Sequence, residues 1–528
     1  MCGITVYISK ENFNENDMKN VAHRGPDDTT VLKTMFNDFT ISFVFHRLAI
    51  IDVEHGQQPF IYKKNDSDSR IVYLVCNGEI YNYLDIINKN NFQTKSDCHV
   101  ILDLYIKYGI YKTLTELDGE FAFVLVDLDK DNGMKVYSAR DRFGIRPLFF
   151  TKDDNGVYFS SELKGLPFDG KGKQLEPRNI YYFKENLTQI SVPYYEIGKN
   201  KIDNSETVHS DIRDALTKSV NDRLQSERPI GALLSGGLDS SLICGIASKI
   251  LAEKGQQLNT FTIGMDVDSP DILHARNVAK HINSIHREII IPVHVWLKTL
   301  SKVIRQIETT CITTIRASTA QYLISKWISE NTDIKVILNG DGSDELTAGY
   351  LYFFNAPDCQ ESHNENLLLL NQIHYYDVLR VDRGISAFGL ESRVPFLSHH
   401  FVDLYLSIDP SLRNPIKGER VEKFLLRKSF EDENIIPSEV LWRQKEAFSD
   451  AVSNKRKSWF EYIKEYVETQ VDDNVDTSGF PSKEAFWYHK IFKEYYPNCV
   501  SIAPNWLPKW CGETTGEPSA RIWGENLH

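Results

Sequence analysis

Ser235-Gly236-Gly237-Leu238-Asp239-Ser240-Ser241 lies between an apolar run at 230–234 and a helical pattern at 240–250. Strand, glycine turn and helix in that order aim backbone N–H groups and the positive end of a helix at an anion. Glycine lets the main chain approach a phosphate closely, and the hydroxyls of Ser235, Ser240 and Ser241 add donors. Asp239 stands where a carboxylate can hold the Mg2+ that accompanies a triphosphate. No lysine follows the last glycine, so the loop is not of the Walker type. Serine and glycine also build ordinary turns, but the seven-residue pattern after a strand favours a nucleotide phosphate.

Beyond this loop, strand and helix patterns alternate at 260–263, 272–281, 288–291, 296–307, 318–328 and 334–338. Such alternation predicts a parallel sheet covered by helices, with ligands at the carboxyl ends of its strands. Phe261-Thr262-Ile263-Gly264 ends one strand and offers backbone contacts to a base. Asn339-Gly340-Asp341-Gly342-Ser343-Asp344-Glu345 ends another and suits a metal or an amine, with a solvated turn as the plainer alternative. Thr313-Thr314-Ile315-Arg316-Ala317-Ser318-Thr319 brings a cation and hydroxyls ahead of a helix, a set suited to a carboxylate substrate. Lys423 reads either as a site cation or as one face of a basic helix.

A chain of 528 residues is too long for one core and reads as two or more domains. Its hydrophobic share of 41% and charged share of 25% are those of a soluble globular protein. A net charge of −13 with no basic stripe speaks against nucleic acid as a partner. The eight cysteines lie far apart, so neither zinc nor a disulfide framework is expected and a reducing compartment is the default. Met1-Cys2-Gly3-Ile4-Thr5 lacks signal-peptide features, and no apolar run approaches the ~20 residues of a bilayer span. These properties predict a cytoplasmic protein with no membrane partner.

Methionine is readily removed before a small residue, which leaves Cys2 with a free α-amine. Such an amine titrates at about 7.7–8.0 and can serve as base for its own thiol, the nucleophile an amide hydrolase needs. A cysteine after methionine is also a plain small core residue. Strand patterns follow at 4–8, 39–51, 71–76, 121–128, 134–139 and 157–159, with a polar turn at 23–28 and a helix at 98–108. Asn77-Gly78 reads alone as a hairpin turn, and Ser96-Asp97 as an ordinary helix cap.

Together, MCGI, HRGPD, RLAIID, NGEIYN, SDCHVI, LDGEFAF and RDRFGIRPL resemble a class II glutamine amidotransferase domain. The resemblance implies an α+β N-terminal nucleophile hydrolase fold at 2–195, with stacked antiparallel sheets between helix layers. It implies Cys2 as the nucleophile and Asn77 with the Gly78 N–H as the oxyanion hole. Arg47 would hold the glutamine carboxylate, and Glu79 and Asp97 its ammonium, near the Ile50 backbone. Each role suits its residue type. The seven-residue loop is similar to that of ATP pyrophosphatases. With TTIRAST, GDGSDE, GYLYF, RVPFL and RQKEAFSD, it resembles the synthetase half of the glutamine-hydrolysing asparagine synthetase family, implying an α/β domain at 209–496 and a tail at 497–528.

By that likeness, Ser235, Gly236, Gly237, Asp239 and Ser240 bind pyrophosphate, while Leu234, Ile263, Asn339 and Gly340 contact the nucleotide. Thr314 and Arg316 take aspartate, Lys423 neutralises the leaving pyrophosphate, and Asp341 stands near the reacting groups. Asp239 and Asp344 are the candidate Mg2+ ligands. The implied reaction activates aspartate as an adenylate and captures ammonia from glutamine, carried through a passage lined by 386–397. A homodimer is the family expectation.

Asp341 stands where the family has a glutamate, which withdraws the carboxylate by about 1.5 Å. A shift of that size can cost on the order of 100-fold in rate. Asn339, Ala348, Ser392 and Ser398 also depart from the family's Ser, Gly, Ala and Asp. Two other readings stay open: an amidotransferase for another carboxylate, and a glutamine-sensing scaffold with a degenerate synthetase half. A β-lactam-forming relative fits less well, because Cys2 and the glutamine-binding set are intact.

Overall fold

Among the described residues, twelve strands precede residue 195 in this computed structural model: β1 Gly3–Ser9, β2 Asp28–Phe36, β3 Phe39–Arg47, β4 Phe60–Lys63, β5 Arg70–Ile80, β6 Gly119–Asp129, β7 Gly133–Arg140, β8 Phe149–Lys152, β9 Gly156–Ser160, β10 Lys173–Gln174, β11 Asn179–Lys184 and β12 Gln189–Pro193. The structure describes all residues except 12, 15, 65–68, 168–170, 199–206, 444–451, 454–456, 500–505 and 511–528. The strands form two six-stranded antiparallel sheets, in the orders β10-β8-β9-β1-β3-β2 and β12-β11-β7-β6-β5-β4. Alternation along each strand decides the stacking. Ile4, Val6, Ile8 and Phe43 of one sheet meet Val75, Val124 and Val126 of the other in a shared core. The outward residues Val72, Leu74 and Leu125 pack on Val100, Ile101 and Leu104 of the helix His99–Tyr108.

The other outer face has a thinner helix layer than expected. Tyr7, Val44 and Tyr158 pack under Met18, from the 3-10 turn Asp17–Arg24, and merge with the core of the second half. The polar segment read as a turn at 23–28 is thus helical at its start, and β2 begins at Asp28. Strand β3 stops at Arg47 rather than continuing to residue 51.

The second half is built on a five-stranded parallel sheet. Its strands are β13 Ile230–Leu233, β14 Asn259–Gly264, β15 Ile285–Ile290, β16 Val336–Leu338 and β17 Glu391–Arg393, in the order β15-β14-β13-β16-β17. Helices Leu238–Glu253, Pro270–His281, Val293–Ile307 and Ile312–Asn331 cover it. Strand β17 is only three residues long, too short to show a period, and it falls in the stretch read as lining a passage. Among the described residues no helix is long and apolar enough to cross a membrane. Of the tail, Trp506 and Trp510 pack on Tyr350, Tyr352 and Phe353; most of the remainder, like residues 444–450 of RQKEAFSD and the linker at 199–206, lies outside the described residues.

The halves meet through buried charges. Arg24 donates to Glu162 at 2.7 Å and forks onto Asp382 at 2.8 and 2.9 Å. Arg383 reaches Glu308 at 2.6 Å, and Glu308 accepts the backbone N–H groups of Leu163 and Lys164. Burial works against the Glu162 carboxylate, but Lys164, His23 and Arg383 more than offset it and hold it well below the usual range. Glu120 lies between Arg146 at 3.0 Å and Arg223 at 2.9 Å, and also accepts the Val394 N–H at 3.2 Å. Replacing Glu120 with alanine strands two buried guanidinium groups, so Glu120→Ala should lower unfolding free energy by about 3–5 kcal/mol. Denaturant titration measures it; a loss under about 1 kcal/mol contradicts the assignment of this contact as a structural junction.

Candidate active sites

Cys2 immediately precedes β1, and its thiol faces the main chain of Leu48, with Sγ 3.6 Å from the Leu48 carbonyl and 3.5 Å from its N–H. Burial pushes the thiol up to about 11, despite the nearby α-amine of Met1. Met1 is in place, so the Cys2 nitrogen is an amide here. The Met1 α-ammonium, lowered to about 6 by burial, lies 3.9 Å from Glu391.

Asn77-Gly78 is not a turn. Both residues lie within β5, where Asn77 pairs with Ala122 and Gly78 with Phe121. Asn77 is fully buried, yet neither its amide nitrogen nor its amide oxygen has a hydrogen-bond partner. A buried primary amide without partners is costly, and a site awaiting an oxyanion is one place where a protein keeps one. Gly78 must be glycine, because a Cβ there would collide with the Glu120 carbonyl.

Glu79 and Asp97 are both buried close to Glu391. Burial raises Asp97 to about 6, against the pull of the Ile80 and Cys98 N–H groups. Burial, then the charges of Glu391 and Asp97, raise Glu79 well above the usual range; Arg393 and Arg146 oppose this. Arg47 spends its guanidinium on the carbonyls of Val53 and Asp52, at 2.9 and 2.6 Å, and holds the loop after β3 in shape. The Ile50 carbonyl accepts the Glu227 N–H at 3.1 Å.

The second centre lies at the carboxyl ends of β13, β14 and β16. Gly236 has φ +74°, which glycine adopts without strain, and its turn carries the chain into the helix Leu238–Glu253. Ser235 and Ser240 hydroxyls meet at 3.0 Å across the loop. One cleft is lined by Leu234, Ser235, Gly237, Asp239, Ser240 and Ile263, and continues past Asn339, Gly340, Asp341, Asp344 and Lys423. Lys423 is not on the face of a helix. It takes a left-handed backbone before the short helix Phe424–Ser429, and its buried ammonium reaches Asp239 at 2.5 Å and Asp344 at 2.6 Å. Two converging carboxylates beside a phosphate loop fit a magnesium ion that arrives on a triphosphate, since that ion takes one or two protein carboxylates plus phosphate oxygens.

The aspartate candidates fall elsewhere. Thr314 and Arg316 lie inside the helix Ile312–Asn331, not ahead of it. Arg316 forks onto Glu484 at 2.9 and 2.5 Å and covers the Phe460 ring at 4.4 Å; neither it nor Thr314 lines the cleft. The cleft instead contains Arg380, which sequence reasoning missed. Arg380 pairs with Asp341 and, at 2.5 Å, with Asp377, while Gln321 reaches Asp341 at 3.4 Å. Burial raises the Asp341 carboxyl, and Arg380 opposes the rise. No local motif marks Arg380; its helix, Asp377–Ser386, is recognisable only as an amphipathic segment.

Ser392 lies on β17 at the junction. Its carbonyl accepts from Arg146 at 2.8 Å and its hydroxyl is 3.4 Å from the same guanidinium, whose other nitrogen contacts are Glu120 and the Met1 sulfur.

Comparison with known proteins matches residues 1–202 to the model of the glutamine amidotransferase domain, and 211–368 and 360–511 to that of asparagine synthase. Proteins named asparagine synthetase [glutamine-hydrolyzing] from Bos taurus and Homo sapiens are each 41% identical to this chain, over 573 and 574 aligned residues. The Gallus gallus protein of that name is also 41% identical over 565, and in all three cases the alignment covers 99% of this chain and 98% of the relative. A nucleophile candidate at one junction, a phosphate loop at the other end of the same sheet, and likeness along the whole length agree. The chain belongs to the family of glutamine-hydrolysing asparagine synthetases, which are carbon–nitrogen ligases.

Proposed function

We propose that this chain makes asparagine from aspartate through an aspartyl-adenylate, using ammonia released from glutamine at Cys2 and consuming ATP to AMP and pyrophosphate. One observation carries the reading: two polar centres stand at opposite ends of one parallel sheet. Cys2 packs with Leu48 and Ile50 against Ile230 and Val336, the first residues of β13 and β16. The phosphate loop and the loop from Asn339 leave the other ends of those strands. Strands of three or four residues span about 10–13 Å, a short path along which ammonia escapes protonation if water is kept out. The buried segment 391–397 runs between the centres and supports that route.

In this reading removal of Met1 gives Cys2 a free amine, which takes the thiol proton as the thiolate attacks the glutamine amide. Asn77 and the Gly78 N–H receive the oxyanion, which supplies the partner that the Asn77 amide lacks. Glu79 and Asp97 take the substrate ammonium, and Arg47 its carboxylate, once the guanidinium leaves the Val53 and Asp52 carbonyls. At the other centre the Ser235–Ser240 loop cradles pyrophosphate, while Leu234, Ile263 and Gly340 border the nucleoside. Asp239 and Asp344 would hold the Mg2+ that accompanies the triphosphate, and that ion would supply positive charge against the phosphates. Lys423, released from the same carboxylates, neutralises the departing pyrophosphate. Arg380 lines the cleft and Arg316 does not, so Arg380 is the better situated for a carboxylate of aspartate, once it exchanges Asp341 or Asp377 for the substrate.

Cys2→Ala should abolish glutamine-driven asparagine formation and leave ammonium-driven formation intact; amino-acid analysis that found both reactions lost would refute this division of labour. Lys423→Met should slow adenylate formation by about 100-fold or more without touching glutamine hydrolysis, read as ATP–pyrophosphate exchange. Asp97 must be ionised to hold an ammonium. Its carboxyl titrates at about 6, so kcat/KM for glutamine should fall as pH drops through that value. For folding the sign is opposite: between about 3.9 and 6 the native state binds the extra proton, so this group costs stability as pH rises across that window. A pH–rate profile flat down to 5 would remove Asp97 from the site.

A further inference from the structure

Strand β17 carries a side chain that none of these steps uses. Arg393 is fully buried at the junction, where its Nε donates to Glu391 at 2.9 Å and its Nη1 to the carbonyls of Arg223 and Gln225 at 2.9 and 2.6 Å. Those three bonds fix the plane of the guanidinium and leave Nη2 directed at Glu79, 3.3 Å from its Oε2. The main chain of Arg393 is fixed as well. It pairs in register with Leu338 of β16, and its carbonyl accepts the N–H of Asn339, the first residue of the loop that carries Asp341. A side chain from the synthetase sheet thus holds a carboxylate of the glutamine centre.

We propose that Arg393 is a positioning residue for glutamine binding, supplied by the synthetase half: it orients Glu79 toward the substrate ammonium. The inference rests on the reading of Glu79 as part of the ammonium site. Glu79 lies among the like charges of Glu391 and Asp97, and Arg393 is the cation paired with it. Nη2 of Arg393 stands 3.3 Å from Glu79 Oε2 as an ion pair, with no hydrogen bond between them, and its charge draws the carboxylate toward the guanidinium. A lysine keeps the charge but not the fork, since one ammonium cannot satisfy two carboxylates and two carbonyls in a plane.

Full-length Arg393→Lys, Glu79→Gln and the double variant are compared by steady-state glutamine hydrolysis, with ammonium-driven synthesis and thermal melting measured alongside. The expected result for Arg393→Lys is a KM for glutamine raised about tenfold, kcat changed less than about twofold, and ammonium-driven synthesis retained. Glu79→Gln should raise the same KM, and the double variant should be no worse than Glu79→Gln alone, because both changes break one interaction. An unchanged KM in Arg393→Lys beside a raised KM in Glu79→Gln overturns the role of Arg393 and leaves the site reading standing. An unchanged KM in Glu79→Gln overturns both. A fall in both activities together with melting temperature, at constant KM, means that Arg393 is only a strut.

Discussion

Buried ion pairs across the junction hold the two halves in one arrangement. Arg24 on the first half meets Asp382 on the second, Glu120 meets Arg223, and Glu162 meets Arg383, while Glu308 of the second half accepts the Leu163 and Lys164 N–H groups. Taking such charges out of water is costly, and only close, multiply bonded geometry offsets the cost. That requirement makes the contact specific. A greasy interface tolerates a slide of a residue or so, whereas forked guanidinium–carboxylate pairs lose most of their energy if either partner shifts. The placement of β17 beside Cys2, and of the Cys2 loop against the amino ends of β13 and β16, depends on this fixed arrangement.

The two centres have complementary electrostatic character. Near Cys2, Glu79, Asp97 and Glu391 crowd one another, with Arg393 paired to Glu79 and Glu391. Around the loop from Ser235 the polar groups are the Ser235 and Ser240 hydroxyls and the Lys423 ammonium, which sits between the Asp239 and Asp344 carboxylates. The Asn77 amide has no hydrogen-bond partner, whereas the Lys423 ammonium is held between Asp239 and Asp344.

Much of this was legible in short stretches of sequence. Residues 230–253 form strand, turn and helix as expected, because the backbone geometry there is dictated locally by glycine and by flanking periodicity. The strands of the two antiparallel sheets were legible as alternation in β1 and β7 and as a continuous apolar run in β6, which is buried on both faces. Asn77-Gly78 misleads for a physical reason. Its composition is that of a hairpin turn, but pairing with Ala122 and Phe121 on the neighbouring strand overrides the local preference. The segment around Thr314 and Arg316 was read as a loop leading to a helix, and the helix begins at Ile312 because Ile312 and Ile315 are buried against the large core.

Residue types and local order thus carried the chemistry: a thiol behind the initiator methionine, a glycine loop for phosphate, carboxylates for an ammonium. They did not carry the identity of each charge's partner. Arg316 is bound to Glu484, Arg380 to Asp341, and Arg393 to Glu79, partners separated by 168, 39 and more than 300 positions along the chain. Attraction between charges acts through space and is blind to chain order, so those pairings exist only once packing has brought the elements together. An isolated arginine in a sequence announces what it can bind; the folded chain around it selects which carboxylate it does bind.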